Sequence, residues 1–136
     1  MIDKTREDYL RAIYHIGEER NRPEIDSIDL CKYLNLSKPS VSEMLKKLKQ
    51  NKLIEHRSYK KIRLTQKGRQ ESIAITKKHR IIESFLFCVL NLKPNLIHEE
   101  AHKLEHAFSD KSILKINRLL KNPKFCPHGK PILINK

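Results

Sequence analysis

The chain has 136 residues, 38% of them hydrophobic, and a formal net charge of +13. That length holds one domain or two small ones, with a modest core that an oligomer interface would help complete. No apolar run approaches membrane-spanning length, and the charged start Met-Ile-Asp-Lys-Thr-Arg-Glu-Asp is unlike a secretory signal. Cys31, Cys88 and Cys126 are odd in number, far apart and without CxxC spacing, which argues for reduced thiols and a cytoplasmic setting and singles out none of them as a metal ligand.

Thr5 to Glu18 reads as an amphipathic helix, with Tyr9, Leu10, Ile13, Tyr14 and Ile16 on or near its apolar face and Thr5 as its N-cap. A helix-turn-helix follows. Ser27 is expected to cap a short helix, Ile28 to Leu34, Asn35-Leu36-Ser37 makes the turn, and Pro39 starts a second helix running to about Asn51. Val41, Met44, Leu45 and Leu48 form the buried stripe of that second helix. Their burial turns Ser37, Lys38, Pro39, Ser40, Ser42, Glu43, Lys46 and Lys47 outward, mostly at the end that enters a major groove in this motif. The serines equally suit an ordinary helix start, and Lys46 and Lys47 suit phosphates better than bases.

Leu53 to Arg57 and Lys60 to Leu64 alternate apolar and polar residues around Ser58-Tyr59, so they read as a β-hairpin. This is the wing of a winged helix, carrying Arg57, Lys60, Lys61 and Arg63. From Lys38 to Arg69, eleven Lys or Arg stand against two acids, Glu43 and Glu55. Such clustering is the footprint of a phosphate-binding face, which makes double-stranded DNA the expected partner and an anionic membrane the weaker alternative.

Thr65-Gln-Lys-Gly opens a long helix to about Leu90, whose later face, Ile81, Ile82, Phe85, Leu86 and Val89, is too apolar for solvent. It reads as a dimer or interdomain seam. Lys93-Pro94-Asn95 breaks the chain, and a helix from Pro94 to Phe108 is expected next. Ser109-Asp110 then caps a last helix from about Lys111 to Lys121, and the Pro and Gly content after Pro123 marks an ordered tail.

The helix from Pro94 carries the most pointed chemistry. Offsets of four, seven and eight residues place His98, His102, Glu105 and His106 on one stripe, and His79 with Glu83 makes a second i, i+4 pair upstream. Neutral imidazole and carboxylate oxygen are ligands for first-row transition ions, and a helix holding them a turn apart supplies half a coordination sphere. A lone His is more often simply solvated, and His15, His56 and His128, outside the cluster, read that way. His102-Lys-Leu-Glu105-His106 also spells the H-x-x-E-H pattern of inverzincin proteases. That chemistry needs a distal third ligand and a peptide cleft, and it leaves the basic first half unexplained, so no enzyme is expected.

Taken together, Glu7-Asp8-Tyr9-Leu10-Arg11-Ala12-Ile13-Tyr14, Ser37-Lys-Pro-Ser-Val-Ser42, Leu64-Thr-Gln-Lys-Gly68 and Lys78-His79-Arg80 make a recognisable pattern. It continues through His98-Glu-Glu-Ala-His102-Lys-Leu-Glu105-His106, Ser109-Asp110 and Cys126-Pro-His-Gly129 with Pro131. Over essentially its whole length the chain resembles the diphtheria-toxin-repressor family of metal-dependent transcriptional repressors, which includes the manganese transport regulators. The resemblance implies a mainly α fold: a winged helix-turn-helix DNA-binding domain over residues 1–72, then an all-helical metal-binding and dimerisation domain over residues 73–136. It also implies a primary metal site on Asp8, His102, Glu105 and His106 and an ancillary site on His79, Glu83 and His98.

Two departures bear on the metal. The iron-responsive branch commonly has Met and Cys at the places of Asp8 and His102, whereas the manganese branch has an Asp like Asp8 but typically carboxylates at the places of Arg11 and His102. An all N/O set with two carboxylates suits Mn2+ or Fe2+, with Zn2+ as a competitor of higher raw affinity. Several relatives carry a further SH3-like domain that adds ancillary ligands, so a chain stopping at Lys136 is expected to leave the second site incompletely coordinated. The function expected is that of a cytoplasmic, homodimeric, metal-dependent repressor of operator DNA. A metal-independent winged-helix regulator is the alternative, and a small zinc metalloenzyme a distant third.

Overall fold

The structure is a computed structural model, and it describes residues 4–56 and 61–132. The chain packs as two compact units, Met1–Ile73 and Ala74–Lys136, and the division falls inside one long helix. Among the described residues, no helix is long and apolar enough to cross a membrane.

The first unit holds α1 (Lys4–Ile16), a 3-10 turn (Glu18–Arg20), α2 (Ser27–Leu34), α3 (Lys38–Gln50), β1 (Ile54–His56), β2 (Ile62–Leu64) and the start of α4 (Gln66–Cys88). Helix α1 packs on α2, α2 on α3, and α3 on β1. Tyr9, Leu10, Ile13, Tyr14 and Ile16 are all buried, as the periodicity of α1 requires, and so are Leu30, Val41, Leu45 and Leu48. Met44 is only half-buried. β1 and β2 pair antiparallel in the register Ile54↔Leu64, Glu55↔Arg63 and His56↔Ile62, and Ile25 adds a bridge to Ile62 through two backbone hydrogen bonds. This is a winged helix-turn-helix.

Two helix starts differ from expectation. Thr5 lies inside α1, which already includes Lys4, so it does not cap that helix. Helix α2 begins at Ser27 itself, and Asp26 is its N-cap, with extended backbone and its N–H donating to Asp29 Oδ2 at 3.0 Å. An Asp ahead of a Ser takes the cap because its own amide is satisfied by a carboxylate three residues on. The expected tip of the wing, Arg57-Ser58-Tyr59-Lys60, lies outside the described residues.

The turn into α4 explains Leu64-Thr-Gln-Lys-Gly68. Thr65 Oγ1 donates to the Lys52 carbonyl at 2.7 Å and accepts the Gly68 N–H at 3.1 Å, while Thr65 N–H reaches the Leu53 carbonyl at 3.0 Å. A Cβ at Gly68 would run into the backbone of Leu53. Ion pairs Arg6–Glu71 (2.7 Å) and Arg69–Glu18 (2.8 Å) fasten this start of α4 to the rest of the unit.

In the second unit, the rest of α4 meets α5 (Pro94–Glu105) and α6 (Asp110–Leu119). Ile81, Ile82, Leu86, Ile97, Ala101, Ile113, Cys126 and Ile132 form one core, flanked by Phe85, Leu92, Leu104, Phe108 and Ile116. The apolar face of α4 is therefore covered largely by its own unit, which corrects its reading as a dimer or interdomain seam. Periodicity reports that a face is buried, and it says nothing of what covers it. Val89, expected on that face, is exposed. Ser109 is the N-cap of α6, accepting the Ser112 N–H at 3.1 Å, and Asp110 is the helix's first residue. After it, Phe125 and Pro131 bridge across a tight turn closed by Cys126 N–H to the Lys130 carbonyl (2.8 Å) and Gly129 N–H to the Cys126 carbonyl (2.9 Å). Gly129 sits at φ +81, where a side chain would be strained.

Candidate functional site: a recognition helix and a metal cluster

In the first unit, Ser37 caps α3: its Oγ accepts the Ser40 N–H at 3.3 Å and donates to Ser40 Oγ at 3.0 Å. With Val41, Leu45 and Leu48 buried, Ser37, Lys38, Pro39, Ser40, Ser42, Glu43, Lys46 and Lys47 are all exposed on one helix. Two hydroxyls at its start are thus partly used in capping. Lys61 on the wing lies 2.9 Å from Asp26, an exposed pair that solvent screens and that a phosphate could displace at little cost. Lys60 lies outside the described residues. Asp8 is half-buried on α1.

The second unit gathers imidazoles and carboxylates around two buried acids, Glu83 of α4 and Glu105 of α5. Glu105 Oε2 lies 2.8 Å from His79 Nδ1, and its Oε1 lies 3.4 Å from His106 Nε2 and 4.0 Å from His102 Nε2. Each of His102, Glu105 and His106 offers a ligand atom within 4.8 Å of the others. Glu83 Oε2 lies 3.5 Å from His79 Nε2, 3.6 Å from His98 Nδ1 and 3.2 Å from His128 Nδ1. His79 Nε2 and His98 Nδ1 are 3.2 Å apart. His79 thus turns one ring nitrogen to each acid.

The expected single stripe along α5 is therefore divided. His98, its side chain 62% exposed, faces Glu83 and His79, whereas Glu105, 1% exposed, turns inward to His79, and His106 stands at the helix C-cap. Helix α4 makes the difference, because its own His79 and Glu83 draw the two ends of α5 into separate sets. The seven residues separating His98 from Glu105 are nearly two turns, ample for two centres.

Two groups escaped the sequence reading. Cys126 and His128, on the tight turn, each offer a ligand atom within 4.8 Å of one another and of a Glu83 oxygen. The sequence reads His128 as an isolated solvated residue and does not single out Cys126 as a ligand. The Cys-Pro-His spacing was the available signal, yet only the fold of the turn brings it to α4.

Electrostatics favour a cation here. Burial opposes ionisation of Glu83, but hydrogen bonds from His79 and His98 and the charges of His79 and His128 outweigh it, holding its carboxyl well below the usual carboxylate range. A buried carboxylate needs a positive partner, and imidazoles stand beside both Glu83 and Glu105. The donors are nitrogen and oxygen with one thiol, a set that fits a divalent transition ion.

A winged helix-turn-helix unit followed by a helical imidazole–carboxylate unit defines a metal-binding, DNA-binding class. The chain belongs to the iron-dependent repressor family: the family's N-terminal DNA-binding domain matches residues 1–62 and its metal-binding and dimerisation domain matches residues 65–134. It is 39% identical over 115 residues to an uncharacterized HTH-type transcriptional regulator of Methanocaldococcus jannaschii, covering 85% of this chain and 91% of that one. It is 34% identical over 132 residues to the iron-dependent repressor IdeR of Mycobacterium tuberculosis, covering 97% of this chain and 56% of IdeR. A solved manganese-dependent transcriptional repressor in complex with manganese superposes with a TM-score of 0.86 at 32% identity, over 93% of this chain and 57% of that one. The chain thus spans little more than half the length of the latter two.

Proposed function

We propose that this chain is a metal-activated transcriptional repressor that binds operator DNA as a cytoplasmic homodimer when loaded with a divalent ion, Mn2+ or Fe2+ before Zn2+. The observation that carries this reading is the buried Glu83–His79–Glu105 cluster, in a chain whose other unit exposes a cationic, serine-rich helix start on α3. IdeR is by name iron-dependent and the superposed repressor manganese-dependent, which supports both ions. The reading gives the chain no catalytic step.

His102, Glu105 and His106 are proposed as primary ligands, with Asp8 as the fourth on the family resemblance. His79, Glu83 and His98 are proposed as the ancillary set, to which Cys126 and His128 add donors through Glu83. When bound, the ion supplies positive charge and fixed coordination geometry. His79 donates from Nδ1 to Glu105, which fixes its tautomer and leaves the Nε2 lone pair, beside Glu83, to hold the ancillary ion. Ser37, Lys38, Pro39, Ser40, Ser42 and Glu43 are proposed to face the major groove, and Lys46, Lys47, Lys60 and Lys61 the backbone. Metal and DNA then tighten each other by the same factor.

The test is a DNA-binding titration run in parallel with manganese, ferrous iron, zinc and a chelator. Binding that requires a divalent ion is expected. Equal binding under full chelation replaces this reading with the metal-independent regulator.

A further inference from the structure

A cavity of about 280 Å³ opens on the first unit, lined by Ile16, Arg20, Arg22, Asp29, Lys32 and Tyr33. It lies on residues that neither the metal cluster nor the recognition helix uses. The chain builds it by doubling back after α1. Gly17 permits this, since a Cβ there would crowd the carbonyls of Ile13 and Arg22, and Arg22 N–H closes onto the Gly17 carbonyl at 2.9 Å. Asn21, in the left-handed region at φ 58, completes the reversal. Arg20 and Arg22 are thereby carried over the face of α2 on which Asp29, Lys32 and Tyr33 stand three and four residues apart. Tyr33 is braced by the His15 ring at 5.7 Å, itself hydrogen-bonded to Glu19 at 2.6 Å.

Three cations here face a single carboxylate, and that carboxylate is engaged: Asp29 Oδ2 accepts the Asp26 N–H at 3.0 Å and lies 3.5 Å from Arg22. Among the described residues the side chains of Arg20 and Lys32 have no hydrogen-bond or ion-pair partner. Elsewhere in this unit Arg6, Lys61 and Arg69 each have an acid within 3 Å. The cavity therefore carries a net charge of about +2, which matches a phosphoryl group of charge about −1.5 to −2. Guanidinium forks and a lysine point charge suit its oxygens.

We propose that this cavity is a phosphoryl-binding site, with Arg20 and Lys32 as its main ligands and Arg22 in support. The group has two available sources. One is the sugar-phosphate backbone of DNA, which the first helix of a helix-turn-helix, here α2, crosses in this motif. The other is free phosphate. The backbone source rests on the DNA-binding reading above, while the phosphoryl site itself does not.

The experiment uses the full chain, its double variant R20Q/K32Q and the charge-preserving R20K/K32R, all checked for native circular dichroism. In one arm inorganic phosphate is titrated against matched chloride, and NMR shifts of the Arg22 Nε–H and the Tyr33 amide, present in all three chains, are followed. Saturable shifts are expected in the natural chain, weakened at least roughly ten-fold in R20Q/K32Q and retained in R20K/K32R. Absence of saturable shifts, or equal affinity in R20Q/K32Q, overturns the site. In the other arm the salt dependence of binding to a non-specific duplex is measured. If the backbone occupies the cavity, R20Q/K32Q lowers the slope by roughly two units, and the equally charged control K111Q/K115Q on α6 does not. An unchanged slope with phosphate binding lost assigns the cavity to free phosphate. A natural chain that binds no duplex defeats the DNA-binding reading, and the phosphate arm still decides the cavity.

Discussion

Glu105 shows how burial turns an ordinary side chain into a chemical group. On α5 alone it is one acid among exposed Glu99 and half-buried Glu100, but packing leaves it 1% exposed against His79 and His106. A carboxylate so placed depends on its imidazole partners. Replacing His106 by Ala should lower divalent-metal affinity by about 100-fold or more in calorimetry while leaving the circular dichroism unchanged, because the imidazole stands at the helix end and not in its core. Metal stoichiometry and affinity equal to the natural chain would remove His106 from the ligand set. A second residue gives a test on the first unit. Burial, then Lys49, pushes the His56 imidazole below its ordinary value of 6.5. The folded state therefore disfavours the proton, so stability is full above pH 6.5 and falls as pH drops through it, where the unfolded chain takes up more protons. Urea midpoints at pH 7.5 and pH 5.5 should differ less in His56→Gln than in the natural chain.

At the scale of elements, the turn into α4 and the start of α3 are the most constrained. Gly68→Ala places a Cβ against the Leu53 backbone, which has no flexible side chain to yield, so unfolding in urea should show a loss of about 1–3 kcal/mol. An unchanged midpoint would mean that the turn can open without penalty. On α3, Lys46 and Lys47 are exposed one and two turns past the serines, the position of backbone contacts. Lys46→Gln should weaken binding to all duplexes alike and reduce the salt slope by roughly one unit. A change of sequence preference with the slope intact would instead put Lys46 on bases. The buried stripe of α3 was legible because helical periodicity is a local property of thirteen residues. Its cap was not singled out, since Ser37 was read as part of the turn before Pro39, and the Asp26 cap of α2 was hidden by the equally suitable Ser27 beside it.

For the molecule as a whole, the question is which ion completes the proposed primary set. Asp8 and His102 are hard or borderline donors where the iron-responsive branch has sulfur, so Asp8→Met should cost manganese activation of DNA binding more than zinc occupancy. Manganese activation unchanged in that variant would detach Asp8 from the site. The sequence by itself determined the winged-helix class, the exposed face of α3 and the residue types of the metal cluster, because periodicity, turn chemistry and ligand identity are all carried within a dozen residues. Spacing alone did not determine how those ligands divide, a division that only the family resemblance implied. Only the packing of α4 on α5 sends His98 to Glu83 and Glu105 to His79, only the turn at Gly129 delivers Cys126 and His128, and only the core around Ile82 and Ile97 covers the apolar face of α4. Each is a contact between residues fifteen to forty-five positions apart, and such contacts are set by three-dimensional packing, on which a one-dimensional pattern is silent.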